Sequence, residues 1–242
     1  MGERVRNIDW IRQPEPELEL ERPEEYHDLA TRAFKESDEA FAAELAGIIP
    51  QNFEAAVVDF GCATGNQAIP LAKLRPDLLI VGFDYSSEML EIAEREANKA
   101  GITRMRFVQG DFTNIQNDLG RRSGIYAYSN TALHELRDEE QFYQAIEGIA
   151  EAVGETGGCY LRDLALPQNS QQAKEWRAEI VEDSDLSKRE LALFENSQHA
   201  GFTLDTWKRA IERTSLAGRG ELIHHKSPKS RYITFEVKVP GR

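Results

Sequence analysis

Short apolar runs of strand length and longer stretches with helical spacing take turns along most of the chain. Ahead of them, Leu29, Ala30, Ala33, Phe34, Phe41, Leu45 and Ile48 recur at mostly helical spacing, which predicts one or two amphipathic helices over 26–48. Strands are then expected at 56–60, 78–84, 105–109, 125–129 and 159–163. The run at 78–84 is almost continuously apolar, as a central parallel strand buried on both faces should be. Helices are expected among them at 67–74, at 87–100 and from Asp138 to about residue 153. Ser86 is placed to cap the second, whose Met89, Ala93, Ala97 and Ala100 form one face and which Gly101 closes. Asp138 with Gln141 has the pattern of a capping box for the third, ended by Gly154.

Past Asp163 the pattern loosens. Two short helices fit 170–198, the second starting at Ser187 with Glu190 as a reciprocal cap, and Thr203 opens another that carries Trp207 and Ile211. Runs at 221–226 and 232–239 read as strands, and their tight connection makes them an antiparallel pair. The β-α-β alternation predicts an α/β fold: a doubly wound, mainly parallel seven-stranded sheet with an antiparallel C-terminal hairpin and a helical cap. It is expected to be a single domain over 26–242, with lid elements at 26–48 and 170–202, and 1–25 reads as an acidic, proline-punctuated N-terminal extension.

Composition narrows the possible partners. The 242 residues suffice for one domain with a substantial core, without room for a second independent one. A net charge of −13 argues against a nucleic-acid binder, which needs basic surface to neutralise phosphates. No apolar run approaches the ~20 residues that span a bilayer, and residues 1–13 lack the apolar core of a signal peptide. Cys62 and Cys159 are the only cysteines, so no disulfide framework is expected and a reducing cytoplasm is the expected location. No grouping of His, Cys, Asp and Glu has metal-ligand spacing, so no metal is expected.

The chemistry is concentrated at strand ends. Val57-Val58-Asp59-Phe60-Gly61-Cys62-Ala63-Thr64-Gly65-Asn66 is a strand that delivers an acid and then a glycine loop that opens a helix. Asp84, followed by Tyr85, ends the second strand, and Asp111, between Gly110 and Phe112, follows the third. One acid at a strand end is common in turns, but three in register beside a glycine loop suggest one ligand. A dinucleotide-binding Gly-x-Gly-x-x-Gly would need glycines at 61, 63 and 66, where the chain has Gly61, Ala63 and Asn66, so a nicotinamide-dependent oxidoreductase is the weaker reading.

From about Tyr26 to Asp163 the arrangement resembles class I S-adenosylmethionine-dependent methyltransferases of the small-molecule type, whose fold is Rossmann-like. The resemblance implies that Asp59, Gly61, Cys62, Ala63 and Gly65 wrap the methionine and ribose portions of S-adenosyl-L-methionine. It implies further that Asp84 takes the ribose hydroxyls, Tyr85 packs on adenine, Asp111 takes the adenine amino group, and the Phe112 N–H meets a ring nitrogen. Asn130 would lie beside the transferable methyl. The chain departs from the family pattern at Ala63, where glycine is commoner, and Pro70 is tolerable if its helix starts a residue or two after Asn66.

Asn130-Thr131-Ala132-Leu133-His134 is similar to the Asn-x-x-Leu-His segment of many such enzymes. His134 is therefore a candidate catalytic base, with a purely pocket-shaping role as the competing reading. Tyr26, Phe194 and His199 are candidate substrate contacts with His134, and Phe202 is a candidate lid residue. Met89, Trp176 and Trp207 read as core. His224 and His225, with Lys226, Lys229 and Arg231, form a basic cluster read as solvated edge residues. The implied activity is methyl transfer to a small-molecule oxygen, nitrogen or carbon nucleophile, by a monomer or homodimer. The other readings are a non-catalytic S-adenosylmethionine-binding sensor or partner subunit, and an enzyme that uses the pocket for a modified sulfonium or for decarboxylation.

Overall fold

The computed structural model describes Arg12 and residues 23–120, 123–167, 169–183, 187–225 and 232–240. Strands β1 (Ala56–Phe60), β2 (Leu79–Asp84), β3 (Met105–Gln109), β4 (Tyr126–Asn130), β5 (Gly158–Leu164), β6 (Glu221–His224) and β7 (Tyr232–Val237) form one sheet in the order β3-β2-β1-β4-β5-β7-β6. The first five are parallel, and β7 lies antiparallel between β5 and β6. The expected doubly wound sheet and C-terminal antiparallel pair are both present, although the connection at 226–231 lies outside the described residues.

The period-two alternation of strand side chains sorts the core into two layers. Val58, Phe60, Val81, Phe83, Ala127 and Leu161 pack with helix α6 (Glu139–Val153), whose Phe142, Ile146 and Ile149 are buried. Val57, Ile80, Tyr126, Tyr128 and Tyr160 pack on the other face, against α2 (Lys35–Ile48) and α3 (Ala68–Leu74). Helix α1 (Pro23–Leu29) runs through a π-helical turn, Ala30–Phe34, into α2. The remaining helices are α4 (Ser87–Lys99), the short α5 (Ile115–Asp118), α7 (Ser170–Asp183), α8 (Lys188–Ala200) and α9 (Leu204–Glu212). No helix among the described residues is long and apolar enough to cross a membrane.

Local signals explain most boundaries. Ser86 Oγ accepts from the Met89 N–H, and Ser187 with Glu190 makes both arms of a capping box. Asp138 accepts from the Gln141 N–H at 2.9 Å, but Gln141 Oε1 returns to the Arg137 N–H, one residue before the expected position. Pro70 is the third residue of α3 and forgoes one first-turn hydrogen bond, while Ile69 and Leu71 on either side donate to Gly65 O and Gln67 O. The inner face of α4 is Leu90, Ile92, Ala93 and Ala97, which leaves Met89 half-buried and Ala100 exposed. Ala93 and Ala97 are shared with the face expected, which is centred as predicted but flanked by Leu90 and Ile92. Trp176 and Trp207 are core, as expected, and so is Phe202, which stacks on Phe142 at 4.3 Å instead of lining a lid.

The strand order reverses between β1 and β4. Their C-terminal ends therefore flank a crevice, the place where ligands bind in open α/β sheets.

Candidate active site

The loop after β1 is held in a conformation that its glycines permit. Gly61 and Gly65 both have φ of 81°, and the Gly61 N–H donates to Phe83 O at 2.8 Å. A Cβ at Gly61 would lie 2.3 Å from the Ala132 Cβ, so this loop can touch the loop after β4 only because residue 61 has no side chain. Ala63 also lies in the left-handed region, at φ 44°, which is the physical reason a glycine is commoner there. Its N–H donates to Asp84 Oδ2 at 2.7 Å. Cys62 is buried, and desolvation pushes its thiol well up, so it is a packing group in the protonated form.

The acids at the strand ends have unlike surroundings. Asp84 accepts from the Ala63 N–H on Oδ2 and from the Ser86 N–H on Oδ1 at 3.0 Å, and the Tyr85 N–H also faces its carboxylate. Burial raises its pKa and those donors oppose the rise. A carboxylate oxygen accepts about two hydrogen bonds, so both oxygens retain acceptor capacity. Asp59 is only 2% exposed and stands in register with Tyr128 on β4. The Tyr128 hydroxyl faces the Asp59 carboxylate but makes no hydrogen bond of standard geometry. Burial pushes Asp59 well above the usual carboxylate range, Tyr128 opposes this, and Asp84 and Asp38 add to it. Asp38 on α2 is pushed up to about 6 by burial, against a 2.9 Å hydrogen bond from Gln67 Nε2 and the charge of Arg162. Asp111 Oδ1 accepts from both the N–H and the hydroxyl of Thr113 at 2.7 Å, which caps a short turn and leaves Oδ2. Phe112 packs on Phe60 and Phe83, and Tyr85 is 74% exposed.

Helices α1 and α2 cover the glycine loop. The Tyr26 hydroxyl faces the Asn66 side chain, His27 Nδ1 lies 3.1 Å from Thr64 Oγ1, and Asp38 takes Gln67. Glu24 pairs with Arg95 on α4 at 2.8 Å, which docks the start of α1. The π turn shifts the phase of the helix between Tyr26 and Asp38, so residues on either side of it reach the same loop.

On the far side of the crevice, Thr131 is a β-branched residue at φ 54° directly after Asn130. The loop it opens is organised by Asp163. Oδ2 accepts from the N–H groups of Ala132, Leu133 and His134, while Oδ1 accepts from the Leu164 N–H and meets His134 Nδ1 at 2.7 Å. His134 is thus buried and its ring is oriented by Asp163. Arg12 reaches the same loop, donating to the carbonyls of His134, Leu136 and Arg137 and to that of Ala200, with its guanidinium 3.9 Å from the Phe202 ring. His199 is half-buried near the end of α8, and the Phe194 side chain lies outside the described residues. His225 is bound to Thr234 at 3.0 Å, whereas Lys226, Lys229 and Arg231 lie outside the described residues.

Sequence reasoning thus missed Asp38, Tyr128, Arg162 and the hub role of Asp163. The last two had a readable signal: adjacent opposite charges inside the otherwise apolar strand Cys159-Tyr160-Leu161-Arg162-Asp163-Leu164.

The residues suit a cationic nucleoside: a glycine cradle, a carboxylate with acceptor capacity left, and the buried acid Asp59 facing the Tyr128 phenol. Fold and site together define a class I S-adenosylmethionine-dependent methyltransferase. The methyltransferase-domain family matches residues 52–213, and the chain belongs to that family, whose cofactor is S-adenosylmethionine. It is 34% identical over 116 residues to trans-aconitate 2-methyltransferase of Deinococcus radiodurans, across 48% of this chain and 40% of that protein. It is 27% identical over 181 residues to carboxy-S-adenosyl-L-methionine synthase of Campylobacter curvus, across 75% of this chain and 64% of the relative. The matches therefore span less than two thirds of those relatives' length. Among solved structures, the plantazolicin methyltransferase BpumL in complex with SAH aligns over 91% of both chains with a TM-score of 0.64 at 14% identity. An O-methyltransferase family protein from Burkholderia thailandensis covers 91% of this chain and 60% of its own, with a TM-score of 0.63 at 15% identity.

Proposed function

We propose that the protein transfers a methyl group from S-adenosylmethionine to an oxygen, nitrogen or carbon nucleophile of a small molecule by in-line displacement. The observation that carries this reading is Asp84 at the end of β2, whose carboxylate accepts from the loop N–H groups of Ala63 and Ser86 and retains acceptor capacity. Asp84 holds the two ribose hydroxyls, Tyr85 and the Phe112 N–H serve the adenine, and Asp111 Oδ2 takes its amino group. Asp59 and Tyr128 face the positively charged methionine end, and Gly61, Cys62, Ala63 and Gly65 supply the backbone that closes on it. Asn130 lies beside the reacting sulfur.

The cofactor brings an already activated methyl, so this chain's task is alignment and exclusion of water. Positioning of this kind is worth up to ~7–11 kcal/mol, and the α1–α2 lid over the glycine loop is the element that excludes solvent. A base is needed only for a protonated acceptor. His134 is the residue assigned to that role, through Nε2, because Nδ1 is committed to Asp163. Tyr26 and His199 remain the substrate contacts proposed at the lid. The small-molecule acceptor is supported by the trans-aconitate and plantazolicin methyltransferases among the similar proteins.

Calorimetry with S-adenosylmethionine and its demethylated product tests the proposal. Micromolar binding of both is expected, and absence of binding at high micromolar concentration would refute it. The similarity to carboxy-S-adenosyl-L-methionine synthase favours a second reading, chemistry on a carboxylated sulfonium. Mass analysis of the nucleoside product separates the two, and binding without turnover over a broad acceptor panel would favour the sensor.

A further inference from the structure

Arg162 sits near the end of β5, paired in register with Asn130. Alternation along the strands puts both on the sheet face of Asp59, Tyr128 and Tyr160. Its Nε donates to Asn130 Oδ1 at 2.7 Å, so it is tied to the residue proposed to flank the reacting sulfur. The guanidinium lies 4.2 Å from the Phe41 ring centroid and 5.0 Å from that of Tyr232. Both rings restrain its plane and leave its N–H edge unused.

That edge has little to bind within the chain. The Arg162 side chain is 17% exposed, and its only ion-pair contact among the described residues is Glu44 Oε2, 3.8 Å from one terminal nitrogen. Glu44 is half-exposed, and its other oxygen accepts the Tyr160 hydroxyl at 2.7 Å. Asp38 interacts with Arg162 through its charge, without a hydrogen bond. Among the described residues the terminal nitrogens make no hydrogen bond, although a guanidinium offers five N–H donors in a fixed fork. A mostly buried permanent cation with idle donors is costly unless an anion completes it. In the sheet order Asn130 on β4 lies between Asp59 on β1 and Arg162 on β5, so the acids of β1 and β2 and this cation flank it from opposite sides.

We propose that Arg162 recognises a carboxylate held next to the reacting sulfur, so that the small molecule processed here is a carboxylic acid. The inference rests on the methyltransferase reading above. A planar monoanion matches the fork, which binds carboxylates through paired N–H groups. The nearby Asp38 and Glu44 disfavour a dianionic phosphate. The carboxylate can belong to the acceptor or to the alkyl group on a modified sulfonium, and the experiment separates these sources.

Wild type, Arg162→Gln and Arg162→Lys are first titrated with the demethylated cofactor. A loss of no more than about tenfold is expected, because only the Nε bond to Asn130 Oδ1 is lost on the cofactor side. The saturated proteins are then titrated with trans-aconitate, fumarate, benzoate and 4-hydroxybenzoate, each beside its neutral amide. In a separate arm, the ligand-free proteins receive S-adenosylmethionine or its carboxylated analogue. At least one acid should bind in preference to its amide, and Arg162→Gln should weaken it roughly 10- to 100-fold, with partial rescue by Arg162→Lys. Binding by the saturated protein assigns the carboxylate to the acceptor, and an Arg162-dependent preference for the carboxylated sulfonium assigns it to the cofactor. If the demethylated cofactor binds but no carboxylate binds in either arm, or Arg162→Gln leaves acid binding unchanged, this inference alone is overturned. If the demethylated cofactor itself does not bind, the methyltransferase reading falls and takes this inference with it.

Discussion

Asp84 and Asp163 are the same residue type at the same end of the same sheet, on β2 and β5, and the structure uses them in opposite ways. Asp84 accepts from the loop N–H groups of Ala63 and Ser86 and stays half-buried at the crevice. Asp163 is buried, and its oxygens are filled by four backbone N–H groups and the His134 ring. The difference lies in donor supply, set by the shape of the loop beside each acid. The first region keeps acceptor capacity to spare, and the second has its acceptors filled by its own chain.

The largest effect should come from emptying the complete hub. Asp163→Ala leaves the N–H groups of Ala132, Leu133, His134 and Leu164 without their acceptor in a buried loop. Unpaired buried donors cost about 1–3 kcal/mol each before relaxation, so a loss of about 4 kcal/mol is expected in urea unfolding. A loss under about 0.5 kcal/mol, within the range of an ordinary surface substitution, would show that Asp163 is not the organiser of the loop.

Asp84→Ala should divide the other way. Its two partners lie near solvent, so folding stability should fall by only about 1 kcal/mol, while affinity for the demethylated cofactor weakens by about 1.5–3 kcal/mol. Calorimetry beside urea titration reads both numbers. A stability loss equal to that of Asp163→Ala, with affinity unchanged, would erase the distinction between the two acids.

The legibility of the molecule follows the same division. Strands, caps and the glycine loop were readable because they rest on local rules: alternation, a capping Ser187 with Glu190, and a turn that needs positive φ at Gly61 and Gly65. Asp84 was readable because the motif places it on the next strand. The hub at Asp163 and the Arg162–Asn130 pair join residues about 30 positions apart, and no local rule encodes which carbonyl or carboxylate they meet. The lid contacts of Asp38 and Asn66 depend on the π turn at Ala30–Phe34, a one-residue phase shift that a helical repeat conceals. Tyr128 resembled any apolar strand residue until the register set it against Asp59.

The smallest effect concerns the acid that the lid adds to the open region. Asp38 is held near a pKa of about 6 by burial, with Gln67 and Arg162 opposing the rise. Because the folded chain keeps this proton to a higher pH than the unfolded chain does, the group favours folding fully below the ordinary carboxylate range. That contribution is lost as pH rises through about 6. Unliganded protein should therefore lose about 1 kcal/mol of stability from this group between pH 5 and 7, a decline that Asp38→Asn should remove. Urea midpoints of both proteins at pH 5, 6 and 7 measure the difference, which includes the coupling of the Asp38 charge to Asp59. Equal slopes would mean that Asp38 is solvated as an ordinary surface acid and that the lid does not enclose it. A steeper decline in wild type would show that the open side of the sheet retains a charge it cannot stabilise alone, which is the condition a cationic cofactor relieves.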